Sequence, residues 1–171
     1  MARPAAPARL SAVLDTSYWV LACRADIAAN CLDLFEIIPP REVQREIETK
    51  DPLLPTGEFP YATLFRHLRD KMRDPPNPEP KPINALGPGE AAALALAQHL
   101  GTPVLVNEVK ARNFAMNVGI GVITVPATIV TLYSAGVISS SASWRKLKLI
   151  EPNTAPVIIR EAATVLAALG A

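Results

Sequence analysis

The chain alternates short, continuous apolar runs with longer stretches in which apolar residues return every three or four positions. Ala12-Val13-Leu14 runs into Asp15, Ile37-Ile38 into Pro39, Val104-Leu105-Val106 into Asn107, and Val122-Ile123 into Thr124. Runs that are apolar on both faces suit parallel strands buried between two layers, and strands are predicted over 11–15, 36–39, 103–106 and 122–124. The helical period predicts helices from Thr16 or Ser17 to about Phe35 and over 40–50, 88–100, 108–118 and 126–136, a helical segment from Tyr61, and a terminal helix over 156–169. Residues 144–150 read as a further strand or a turn. Strand and helix in alternation imply right-handed crossovers and a parallel sheet covered on both faces, a three-layer α/β/α sandwich.

The clearest boundaries belong to the stretch after Leu86. Gly87 can cap, Pro88 suits a first helical position and Gly101 can end the Ala/Leu-rich run. Glu90 then falls in the first turn, on the face shared with Leu94 and Ala97. The helix dipole favours any Glu there, but a carboxylate at the edge of a core also needs a partner. Asp15 follows the first strand, and ligand-handling groups of open parallel sheets collect beyond the carboxyl ends of the strands. On the helix over 40–50, Val43 and Ile47 mark the buried stripe, with Glu46 beside it and Glu48 facing away. An exposed Glu46 paired with Arg45 or Lys50 is the competing reading.

The 171 residues fit one domain, over 11–171, behind a disordered lead-in at 1–10 that lacks the apolar run of a signal peptide. Residues 74–82, Asp-Pro-Pro-Asn-Pro-Glu-Pro-Lys-Pro, read as an extended surface linker inside that domain. Cys23 and Cys31 lack ligand spacing and read as packed free thiols, which makes the cytoplasm the default compartment. No acidic or basic residue occurs between Arg112 and Arg145, yet Gly119, Gly121, Pro126 and Gly136 break that stretch too often for a membrane span. A net charge of +1 neither requires nor excludes nucleic acid.

Carboxylates gathered without intervening cations repel one another, and a hard divalent ion holds them ionised. Asp15, Glu46 and Glu90, with whatever follows the third strand, are the candidates. Their arrangement resembles the PIN-domain family of metal-dependent ribonucleases. The resemblance rests on Leu14-Asp15-Thr16-Ser17, Val43-Gln44-Arg45-Glu46-Ile47, the run Gly89-Glu90 to Ala97, and Val104 to Arg112, and it covers most of 11–138. It implies a Rossmann-like three-layer fold, catalytic Asp15, Glu46 and Glu90 binding Mg²⁺ or Mn²⁺, and hydrolysis of RNA. Many small members resemble VapC-type toxins, which implies an antitoxin partner and a homodimer.

Two positions depart from the family pattern. Asn107 stands where an Asp is usual, so either the adjacent Glu108 turns inward to complete the metal set or metal binding weakens; Asn107 could equally be a helix cap. Thr124-Val125-Pro126 replaces a Gly-Thr pair. Thr16 and Ser17 are candidate supporting hydroxyls, one of them a cap. Arg66, Arg69, Lys71, Lys110 and Arg112 are the candidate phosphate contacts. A non-catalytic RNA-binding or protein-interaction module on the same fold is the main alternative; a nucleotide-binding domain lacks its glycine loop and Lys.

Overall fold

The computed structural model describes residues 9–84 and 86–171, so the lead-in expected at 1–10 lies almost wholly outside the described residues. The first strand, β1 (Leu10–Leu14), starts at Leu10, and the Arg9 guanidinium donates to the Leu32 carbonyl at 2.7 Å. There follow α1 (Thr16–Arg24), α2 (Ala28–Leu34), β2 (Phe35–Ile38), α3 (Arg41–Ile47), α4 (Pro60–Leu68), α5 (Pro88–Leu100), β3 (Val104–Leu105), α6 (Val109–Asn117), β4 (Val122–Ile123), α7 (Val125–Ser134), α8 (Ser140–Ile150) and α9 (Pro156–Ala168). The four strands are all parallel, in the order β2-β1-β3-β4. The expected three-layer α/β/α sandwich is the observed fold.

Strand order determines where a site can form. From β1 the chain crosses over to β2 on one side, and from β3 to β4 on the other, so the switch point lies between β1 and β3. Register pairs Val13 with Val104 and Leu14 with Leu105, and the Asp15 amide donates to Leu105 O at 3.0 Å. At a switch point the loops leaving adjacent strands diverge and open a crevice at the carboxyl edge. Asp15 and Asn107 stand on its two sides.

The core surrounds the sheet, with Trp19, Tyr18 and Phe65 its bulkiest buried side chains. Trp19 meets Phe65 edge to face, centroids 5.4 Å apart, and its indole N–H donates to Tyr61 O at 2.9 Å. Burial of side chains this large contributes roughly 1.5–3 kcal/mol each, enough to pin α1 and α4 together. Tyr18 ties α1 to α7 through Thr128 Oγ1 at 2.7 Å.

Two elements differ from the sequence reading. The helix expected to run unbroken to Phe35 is interrupted at Asp26, whose φ of +55° cannot continue a right-handed helix. Residues 144–150, expected as a strand or turn, belong to α8: Ser139 caps it by accepting the Ala142 amide at 3.2 Å, and Ser143, Leu147 and Ile150 form its buried stripe. The segment 74–82 has no regular structure, and it is tied to the body where Asp74 pairs with Arg69 at 2.5 Å and Glu79 accepts from the Arg41 amide at 3.1 Å. No helix among the described residues is long and apolar enough to cross a membrane.

Candidate functional site

Asp15 is the N-cap of α1 and only 2% exposed. Its Oδ2 accepts the Ser17 amide at 2.9 Å and also the Ser17 hydroxyl. The carboxylate itself is therefore the cap, not Thr16 or Ser17 as the sequence suggested, because it directly precedes the first turn and reaches the amide two residues on. Ser17 Oγ in turn accepts the Asn107 amide at 3.2 Å, joining the ends of β1 and β3 across the crevice.

Glu46 reaches in from α3, while Glu48 is exposed. One Glu46 oxygen accepts the Thr16 hydroxyl at 2.5 Å and the other the Gly89 amide at 2.8 Å. That approach is possible only because residue 89 has no side chain: a Cβ there would lie 2.2 Å from Glu46 Oε2. Here the N-terminal amide of a helix and a neighbouring carboxylate satisfy each other. Glu90, next along α5, is half-buried and turns back to accept the Gly87 amide at 3.3 Å. At the other end of α5, Gly101 takes a left-handed φ of +64°, the helix stop expected of it.

At the end of β3 the two neighbours have exchanged the roles open to them. Glu108, exposed, caps α6 by accepting the Ala111 amide at 2.9 Å, so Asn107 is not the cap. Asn107 is 6% exposed, and its Oδ1 accepts the Val125 amide at 3.4 Å at the start of α7. Thr124 is likewise a cap, accepting from the Ala127 amide at 3.2 Å.

The acids sense one another. Burial pushes the Asp15 carboxyl from 3.8 up to about 6, with the charges of Glu90 and Glu46 adding to the effect and the Ser17 hydrogen bonds opposing it. Glu90 is also raised, first by burial and then by Glu108, with Lys110 pulling the other way. Yet each carboxylate is turned to a local N–H or O–H donor, and among the described residues no three His, Cys, Asp or Glu side chains already form a metal-holding group.

The sequence model of a family described as a PIN domain matches residues 23–151. The chain belongs to the PIN-domain family. The PIN match contains Glu46, Glu90, Asn107 and Glu108, while Asp15 precedes it and α9 follows it. PIN domains are a nuclease-type fold, and in this one Asp15 and Asn107 follow adjacent parallel strands at the carboxyl edge of the sheet. No curated protein matches the chain.

Of the cations offered to phosphates, three are held by carboxylates: Arg66 by Glu58 at 2.8 Å, Arg69 by Asp74 at 2.5 Å, and Arg112 by Glu161 at 2.9 Å. Lys71 lies in a 3₁₀ turn after α4, and Lys110 acts on Glu90. Sequence reasoning missed Gly89 as the cradle of the Glu46 carboxylate in this PIN domain. The signal was the glycine in the first turn of α5, a costly residue inside a helix unless something must come close.

Proposed function

We propose that this PIN-domain protein is a metal-dependent endoribonuclease in which Asp15, Glu46 and Glu90, with Asn107 or Glu108, hold Mg²⁺ or Mn²⁺. The observation that carries the reading is Asp15: a nearly unexposed carboxyl at the switch point of a parallel sheet, within electrostatic range of two further acids. Burial and like charge both oppose its ionisation, and a divalent cation reverses both effects.

The donor chemistry fits such an ion. All five candidate ligands offer hard oxygens, which favour Mg²⁺ or Mn²⁺ over softer metals. Glu46 uses one acceptor position on each oxygen and keeps others. Glu90 is held by a single 3.3 Å bond, the longest of those to the three acids, and is the one most readily turned inward. Held by Asp15, Glu46 and Glu90, such a cation would supply acidity to an attacking water and positive charge to the scissile phosphate. The chain orients the acids for this work: Ser17 fixes one oxygen of Asp15, and Thr16 and Gly89 fix Glu46.

The test is thermal melting with Mn²⁺. The wild type is expected to gain stability, by about 2.7 kcal/mol at a hundredfold excess over Kd, and to cleave RNA; Asp15→Asn is expected to lose both responses. Undiminished cleavage by that variant removes the central ligand and the reading with it. The finer reading of a cytoplasmic toxin, homodimeric and held by an antitoxin, follows the family resemblance; growth arrest on expression of the wild type but not of Asp15→Asn tests it.

One observation favours a second reading, a PIN-fold binding module without catalysis. The amide oxygen that takes the place of a carboxylate at position 107 is engaged by the Val125 amide. RNA binding with no Mn²⁺ response is the result that selects this alternative.

A further inference from the structure

We infer that the cleft running along α1 from the acid cluster seats one nucleotide of single-stranded RNA, with Arg24 holding a phosphate beside the one attacked. This deepens the ribonuclease reading and rests on it for the identity of the polymer.

The cleft has a volume of about 350 Å³. Ser17 and Asn107 close one end, and Ser17 is the residue that binds Asp15, so the cleft and the acids share a wall. Val20 and Leu21 line it along the helix, and Arg24 stands at the far end. Positions 17, 20, 21 and 24 recur at helical spacing on one face of α1, two turns or about 10 Å in length. Asn153, exposed, comes in from the turn between α8 and α9 and offers an amide with both a donor and an acceptor.

Charge is distributed unevenly within this space. Arg24 is exposed and, among the described residues, makes no ion pair, whereas Arg66, Arg69 and Arg112 are each paired with a carboxylate. Those three contact a phosphate only by giving up a partner; Arg24 gives up nothing. Glu108 lines the same cleft near Asn107 and repels a phosphate there. A strand therefore lies with a phosphate at the Arg24 end and its sugar and base over Val20 and Leu21; the next phosphate reaches the acid end when the divalent cation of the ribonuclease reading offsets the charge there.

The dimensions select a single strand. About 300 Å³ is the lower limit for pockets that enclose a small molecule, and a nucleotide enters such a space only after it leaves its pairing partner. Asn153 can then read an unpaired base edge.

The test is fluorescence anisotropy of a short fluorescein-labelled RNA of mixed sequence, single-stranded and as its duplex, in EDTA across a salt series. Each phosphate contact on a single strand contributes about 0.7 to the slope of log K against log salt. Arg24→Gln is expected to lower the slope by about 0.7 and to weaken binding about fivefold at about 0.1 M salt, the factor that slope produces over the decade up to 1 M. Arg24→Lys is expected to keep the slope, and Lys50→Gln, in the exposed loop after α3 and outside the cleft, to leave both quantities unchanged. An unaltered slope in Arg24→Gln overturns the proposal, as does a wild type that binds neither strand form or binds the duplex as tightly as the single strand. The Mn²⁺ melting response separates the two readings: Arg24→Gln is expected to keep it. If the wild type lacks that response while the Arg24 effect appears, hydrolysis falls and the nucleotide seat stands.

Discussion

Replacing Asp15 with Asn in metal-free protein is expected to stabilise the fold at neutral pH while leaving it unchanged in acid. The carboxyl is 2% exposed, and burial, with Glu90 and Glu46 adding to it, raises its pKa from 3.8 to about 6. The native state therefore binds this proton more tightly than the unfolded chain does. Between about pH 4 and pH 6 the folded protein keeps a proton that the unfolded chain has lost, so stability falls as pH rises through that window, and above it the whole penalty stands. The gap between the two values corresponds to about 3 kcal/mol. Asn keeps a carbonyl for the Ser17 amide and hydroxyl and caps a helix as well as Asp does, so α1 still starts where it should. The expected gain is about 2–3 kcal/mol near neutral pH, or roughly 5–10 °C in Tm for a chain of this length. Thermal or urea unfolding in EDTA, near neutrality and again below about pH 4, measures it. Mn²⁺ at about a thousandfold excess over Kd, which stabilises the wild type alone by about 4 kcal/mol, then reverses the order. Equal stabilities at neutral pH, or an advantage for Asn that persists in acid, refute the reasoning.

Three further substitutions or probes test the packing around the site. Gly89→Ala forces the Glu46 carboxylate off the start of α5, because the new Cβ would lie 2.2 Å from it; a cost of about 1–3 kcal/mol is expected in urea unfolding. In a Glu46→Ala background the same change is expected to be neutral or stabilising, by up to about 1 kcal/mol, as Ala outranks Gly in a helix. Tyr18→Phe removes the hydroxyl that meets Thr128 at 2.7 Å in the core, and a loss of about 1–2 kcal/mol is expected from the urea midpoint. Burial pushes Cys31 up to about 11 and Cys23 up to about 12, so neither carries appreciable thiolate at neutral pH; a disulfide reagent is expected to label both only when urea unfolds the protein, and rapid labelling of the native state contradicts this.

Much of the architecture was legible along the chain because it depends on near neighbours. The apolar runs before Asp15 and Asn107 could be satisfied only between two covered faces, and Gly87, Pro88 and Gly101 marked α5 at both ends. Periodicity set Glu46 beside the buried stripe and Glu48 away from it, but left open an exposed Glu46 paired with Arg45 or Lys50; the contacts to Thr16 and Gly89 decided it. Where local signals were thin the reading slipped: Asp is one of the few residues that tolerate a left-handed φ, but a single Asp26 within an apolar-periodic stretch did not outweigh the helical pattern, and α8 has a buried stripe spread thinly among polar residues. Tertiary structure alone decided what each side chain turns toward. Periodicity tells which face of a helix is buried but not what covers it, and the Glu46 contact with Gly89 spans 43 residues. The same reason explains why Asn107 faces Val125 and why the paired arginines leave Arg24 as the cation in the cleft: crossovers bring these groups together, and hydrogen bonding then goes to whichever donor the fold has placed within reach.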